Sequence, residues 1–239
     1  MRMHHTCLTA LCASGLALTA SGEASAHYYG QLQNVTSTNG PAGDGAFTQI
    51  WTTYLDSQCS LFNRQFVTHE MWYASESGNE WVEVGFFTGQ TGGCCGCANN
   101  EVFWADSRSG HGYSEHDTGN YVGVPFSSWE SLQVSNVGTC EWNVEWFNTS
   151  WTNLGNSTSN CLGTGRFLQA GIESTSQGAS QVVEGFLTNW WEENSIGEWS
   201  TGWKGGGGAT LWDANSPNNG PWIEWDGTDE TYEWIYQPQ

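Results

Sequence analysis

The chain has 239 residues, and 25 Asp and Glu against 5 Lys and Arg give it a formal net charge of −20. Phosphate backbones and anionic membranes are bound by Lys and Arg that displace counterions, so this balance excludes nucleic-acid and membrane partners. A content of 31 Gly and 16 Trp, with no helix-period pattern, excludes a mainly helical protein.

Taken in chain order, residues 1–26 come first. Arg2, His4 and His5 make a weakly basic start, CLTALCASGLALTA is an apolar run, and ASA ends at Ala26. This is the layout of a secretory signal peptide, too short to cross a bilayer. The mature chain is expected to run from His27 to 239 as one domain, released outside the cell. Short runs rich in Val, Phe, Trp and Tyr follow, separated by Gly, Ser, Asn and Thr clusters at hairpin spacing. They predict strands near 47–54, 66–74, 80–88, 101–106, 120–125, 131–136, 141–148, 166–173, 181–187, 209–213, 222–225 and 231–236. The expected fold class is all-β: an antiparallel sandwich of the jelly-roll, concanavalin-like kind.

Six cysteines remain beyond the signal: Cys59, Cys94, Cys95, Cys97, Cys140 and Cys161. An even number in an exported chain reads as disulfides rather than as a metal site. We expect Cys140 to pair with Cys161, and Cys59 to reach into CCGC. Sequons at Asn34, Asn148 and Asn156 would accept glycans in a eukaryotic source.

Two segments place a carboxylate inside an apolar run. In NEWVEVGFFTG, Val82, Val84 and Phe86 share one face of a strand, while Trp81, Glu83, Gly85 and Phe87 share the other. FLQAGIEST repeats the layout: Leu168, Ala170 and Ile172 on one side, Phe167, Gln169, Gly171 and Glu173 on the other. Each glutamate lies two positions from a glycine, which leaves room for a close approach to the backbone. Two carboxyls facing one groove repel, so one holds its proton while the other gives it up, which furnishes a general acid and a general base. The same alternation occurs in CEWNVEWFN, where Glu141 and Glu145 oppose Trp142, Val144 and Trp146.

Other chemistries fit less well. Asp106, Arg108, His111, Glu115, His116 and Asp117 crowd FWADSRSGHGYSEHD, but its Gly and Ser content reads as a loop. A terminal His27 offers a copper ligand without the rest of a copper site. No metal and no cofactor is expected. Many Trp on a sandwich, among them the Trp142–Trp146 and Trp222–Trp225 pairs, raise a rival reading as a non-enzymatic carbohydrate- or peptide-binding module.

WVEVGF at 81–86 and LQAGIES at 168–174 resemble the two glutamate motifs of the neprosin-type peptidases, whose fold is shared by the fungal acid glutamic peptidases. The resemblance implies a jelly-roll sandwich in which Glu83 and Glu173 hydrolyse peptide bonds at acidic pH. One would activate water and the other would stabilise the oxyanion and protonate the leaving amine, with the two roles unassigned. Trp81, Phe87, Gln169 and Trp104 are then expected to line the peptide groove.

Overall fold

The structure is a computed structural model, and it describes residues 28–35, 43–52, 59, 65–75, 79–89, 98–117, 127–162, 167–174, 184–194, 199–200, 209–214, 222–225 and 232–235. The candidate signal (1–26), the expected strand at 120–125, and Cys94, Cys95 and Cys97 lie outside the described residues.

The described residues are all strand, turn or extended chain. The strands are β1 (Tyr28–Val35), β2 (Gly43–Thr52), β3 (Phe66–Ala74), β4 (Trp81–Gly89), β5 (Ala98–Arg108), β6 (Gly112–Asp117), β7 (Ser128–Gly138), β8 (Glu141–Phe147), β9 (Trp151–Thr158), β10 (Phe167–Ser174), β11 (Glu184–Asn194), β12 (Trp199–Ser200), β13 (Ala209–Ala214), β14 (Trp222–Trp225) and β15 (Tyr232–Ile235). They form two sheets. The first runs β13-β1-β10-β3-β4-β5-β6, and the second runs β14-β15-β11-β2-β7-β8-β9, with β12 beside β11. Every pairing is antiparallel, so the expected fold class holds.

Alternation decides what lies between the sheets. Val67, Met71 and Tyr73 of β3, Val82, Val84 and Phe86 of β4, and Ala170 and Ile172 of β10 form one side of the core. Ala46, Ile50, Leu132, Val134, Trp142, Val144 and Trp146 supply the other. Tyr73 meets Trp142 edge-on at 5.5 Å between ring centroids, and Phe86 meets Trp146 at 6.3 Å. Trp142 and Trp146 are therefore core side chains, each at most 4% exposed, and not a platform for sugars.

Two expectations about β5 and β6 are corrected. Trp104 is buried on the core face, where it stacks on His116 at 3.8 Å. A Cβ on Gly155 of β9 would fall 2.5 Å from its ring, so Trp104 fills the gap between the sheets and does not line a groove. The crowded segment 103–117 is a β5–β6 hairpin turning at 109–111, not a loop. The pleat divides its charges. Asp106 turns toward Ser157 of β9, whereas Glu115 stands opposite Ala105 on the other face. No group of three metal-ligating side chains forms among the described residues.

Several polar side chains inside the sandwich are tied by hydrogen bonds. Asp106 accepts from Ser157 Oγ and lies 3.3 Å from Arg108 Nε and 3.4 Å from His116 Nε2. Glu130 accepts from Trp146 Nε1 and Ser128 Oγ, both at 2.8 Å. Asn160 joins the ends of both sheets: its side-chain amide donates to Trp81 O at 3.1 Å, and its own carbonyl accepts from Trp142 Nε1 at 2.8 Å.

That corner is closed by the Cys140–Cys161 disulfide, the pairing expected from the sequence. Cys59 is also disulfide-bonded, to a partner outside the described residues. A cross-link over 21 residues mainly restricts the unfolded chain. Replacing Cys140 and Cys161 together by Ser should therefore lower the unfolding free energy by about 3 kcal/mol. The expected reading is a lower urea midpoint with a somewhat steeper slope, because the unlinked unfolded chain is more expanded; an unchanged midpoint would show that the cross-link does not constrain the chain.

Candidate active site

The face of the first sheet turned away from the core carries the carboxylates. Register sets them out in rows across β10, β3, β4 and β5. One row is Glu173–Thr68–Phe87–Glu101, the next Gly171–Glu70–Gly85–Phe103, the third Gln169–Trp72–Glu83–Ala105. Glu83 and Glu173 thus share this face, and between them stands a third carboxylate, Glu70, which the sequence reading passed over. It lies diagonally adjacent to both. Diagonal neighbours have Cα atoms about 7–8 Å apart, within reach of glutamate side chains.

Glu70 has glycine on each side. A Cβ on Gly85 would fall 2.3 Å from His69 O and 2.4 Å from Glu70 Cβ. Gly171 adopts a φ of 153°, which side-chain-bearing residues rarely take. The room that Gly85 was expected to leave is thus filled by the backbone and side chain of β3. Glu70 is what approaches.

All three carboxyls are buried: Glu70 is 1% exposed, Glu83 5% and Glu173 9%. Burial removes the hydration that an ionised carboxylate needs, and each neighbour adds like charge. Desolvation, and then repulsion from Glu173, raise Glu83 to about 8. Hydrogen bonds from Trp72, Trp81 and Tyr113 oppose that rise without cancelling it. Of these, Trp81 Nε1 donates to Oε2 and Tyr113 Oη to Oε1, each at 3.2 Å. Glu70 is raised well above the usual carboxylate range by burial, then by Glu173 and Glu83. Its carboxyl is within hydrogen-bonding reach of the Glu173 carboxyl. Thr68 fixes the backbone of Glu173 from both sides: its Oγ1 accepts from the amide at 3.2 Å and donates to the carbonyl at 3.4 Å. At neutral pH the cluster holds protons that isolated glutamates would have lost.

The other expected site residues divide. Trp81 and Phe87 lie on the carboxylate face; Trp81 contacts Glu83 directly, and Phe87 packs edge-on against Phe103 at 5.7 Å. Gln169 pairs with Trp72 and Gln33 in the sheet, and its side chain lies outside the described residues. Trp104 is in the core, as above. Tyr113 went unnoticed because β6 was read as a loop. It is 55% exposed, its ring lies 6.4 Å from that of Trp81, and burial of its hydroxyl beside Glu83 raises its pKa. Together with half-buried Trp81, it puts the solvent-facing margin of this cluster next to Glu83.

On the opposite face of β3, His69 is buried, and loss of hydration lowers it to about 3, so it stays neutral. It adds no positive charge to offset the three glutamates.

This fold has solved counterparts. The structure of scytalido-glutamic peptidase with a transition-state analogue inhibitor superposes with a TM-score of 0.58 at 9% identity, covering 87% of this chain and 97% of that one. SCP-B, a member of the eqolisin family of peptidases in complex with a tripeptide, gives a TM-score of 0.54 at 9% identity over 88% and 98%. At such identity the likeness is one of fold. No protein-family model and no curated protein matches the sequence. The fold is thus one shared with these glutamic peptidases, and none of these comparisons connects the chain to the neprosin group.

Two outcomes follow from this geometry. Unfolded glutamate releases its proton near 4.5, whereas Glu83 in the fold keeps it until about 8. Within that window the folded state binds more protons, so its contribution is fully present below 4.5 and is lost as pH rises toward 8. Glu70 acts in the same direction. Stability should fall over this range by up to about 1.4 kcal/mol per pH unit for each such group, and Glu83→Gln should flatten the profile. Thermal midpoints that rise with pH across the window would contradict the cluster as described. Separately, Gly85→Ala must displace backbone as well as Glu70, and should destabilise by roughly 1–3 kcal/mol or more in a urea titration.

Proposed function

We propose that this protein is a secreted peptidase that hydrolyses peptide bonds at acidic pH, with Glu83 and Glu173 as its catalytic pair. The observation that carries the reading is the carboxylate diagonal. Three buried glutamates repel one another on the outer face of a sheet whose fold is that of glutamic peptidases. Such a cluster costs stability near neutral pH, and a protein keeps it where chemistry needs carboxyls of different affinity for a proton.

The environments suggest the roles. Glu83, held protonated by burial and by Glu173, is the acid. Glu173 is the base, and Glu70 beside it is a positioning residue whose proton bridges the two carboxyls. Water gives a proton to Glu173 as its oxygen bonds to the peptide carbonyl carbon. Glu83 gives its proton to the amide nitrogen as the C–N bond breaks, and a proton passed back from Glu173 resets the pair. Trp81 and Tyr113 hold the Glu83 carboxyl at the solvent-facing margin, where a peptide would enter. The signal-like residues 1–26 and the Cys140–Cys161 disulfide support export to an oxidising compartment.

The test is digestion of an acid-denatured protein at pH 3–5, with turnover compared between the wild type and single variants. Glu83→Gln and Glu173→Gln should each lower kcat by at least about a hundredfold while leaving the circular-dichroism spectrum unchanged. Glu70→Gln, which keeps a hydrogen-bond donor beside Glu173, should retain most of kcat. Full activity in Glu83→Gln would refute the mechanism.

A further inference from the structure

The second sheet has an outer face of its own, and it is not the surface of a merely soluble protein. Along β2, Ala46, Thr48, Ile50 and Thr52 point into the sandwich, so Phe47, Gln49 and Trp51 point out. On β7 and β8, by the same parity, Trp129, Ser131 and Gln133, and then Glu145 and Phe147, face outward. Register places Trp51 opposite Trp129, Gln49 opposite Ser131, and Phe47 opposite Gln133, which in turn faces Glu145. Phe147 stands opposite Trp151 of β9.

The aromatic rings form two walls. Trp51 and Trp129 meet edge-on at 5.5 Å. Trp151 meets Phe147 at 5.4 Å and reaches across β7 and β8 to Phe47 at 6.2 Å, also edge-on. Edge-to-face packing immobilises each ring and leaves faces uncovered. Trp129 remains 43% exposed, Trp151 42% and Phe147 39%, far more than a Trp or Phe placed to complete a core. Register staggers the two walls: Phe147 and Trp151 share a row with Gln49 and Ser131, roughly 7 Å from the Trp51–Trp129 row, and Phe47 lies one row further on. In the same rows as Phe147, Trp151 and Phe47 lies a polar floor. Gln49 Nε2 donates to Ser131 Oγ at 3.1 Å, and Gln133 Nε2 donates to Glu145 Oε2 at 3.2 Å.

We infer that this face is a binding surface for a neutral polysaccharide, separate from the carboxylate face and independent of the peptidase reading. The ligand class follows from the three components together. Exposed, prepositioned aromatic faces stack on the apolar faces of pyranose rings. Amide and carboxylate groups, already oriented by each other, exchange hydrogen bonds with ring hydroxyls at the floor. Neither the floor nor the walls contain Lys or Arg, and the chain's charge of −20 repels anionic polymers. An apolar protein partner would strip water from the amides and the carboxylate without replacing it, an expensive desolvation that sugar hydroxyls avoid.

Affinity electrophoresis of the whole protein through gels containing hydroxyethylcellulose or soluble starch, and co-sedimentation with chitin, test the inference. Polygalacturonate serves as the anionic control. At least one neutral polymer should retain the protein. Trp129→Ala and Trp151→Ala should each weaken that retention by about tenfold, and the double variant should abolish it, with circular dichroism unchanged because both rings are exposed. Glu83→Gln should bind like the wild type. The inference is overturned if no neutral polymer retains the protein, if polygalacturonate alone does, or if the double variant binds undiminished. It is also overturned if gel filtration shows a dimer that the double variant dissociates while sugar binding is absent, since a second copy would then be the occupant.

Discussion

Glu70 is wedged between two glycines, and the active face takes its form from that fact. A carboxylate in the middle strand of a buried sheet face needs space that ordinary neighbours would occupy. Gly171 and Gly85 supply it from the flanking strands, one in a backbone conformation that side chains disfavour, the other with no room for a Cβ. Glu83 and Glu173 then fall on either side of Glu70 along a diagonal, each too close to ignore its charge. Were either glycine larger, β3 would shift and the three carboxyls would lose their common environment.

Burial and repulsion act together here, whereas the other buried carboxylates among the described residues are neutralised or bonded. Asp106 has Arg108, His116 and Ser157; Glu130 has Trp146 and Ser128. The carboxylate face has no cation among its described partners. Its donors are indoles, hydroxyls and other carboxyls, which favour a shared proton over full ionisation. That difference separates a structural carboxylate from one poised to exchange protons.

The two sheets also use aromatic side chains differently. In the core, Tyr73, Phe86, Trp104, Trp142 and Trp146 interlock, and the hydrogen bonds of Trp142 and Trp146 to Asn160 and Glu130 satisfy their N–H groups in the absence of water. On the outer face of the second sheet, Trp129, Phe147 and Trp151 use the same edge-on contacts and keep their faces to solvent. Composition counts these residues alike. Only their position on the pleat separates them.

Period-2 alternation by itself pointed to the sandwich, to the apolar faces of β4 and β10, and to the placing of Glu83 and Glu173 on the opposite faces. These follow because neighbouring side chains on a strand must point to opposite sides. Cysteine spacing likewise pointed to the Cys140–Cys161 closure. The edge strands β6 and β9 were not legible: an edge strand has fewer core neighbours, so GYSEHD and WTNLGNST lack an apolar stripe and read as loop and turn. Trp104 was misplaced and Glu70 was missed for a related reason. Alternation says which residues of one strand share a side, but not which side is the core or which strand lies next to which. The order β10-β3-β4 and its register brought Glu70 between Glu83 and Glu173, and set two distant glycines against one glutamate. Such pairings are fixed by how whole strands pack, and no local stretch of sequence contains them.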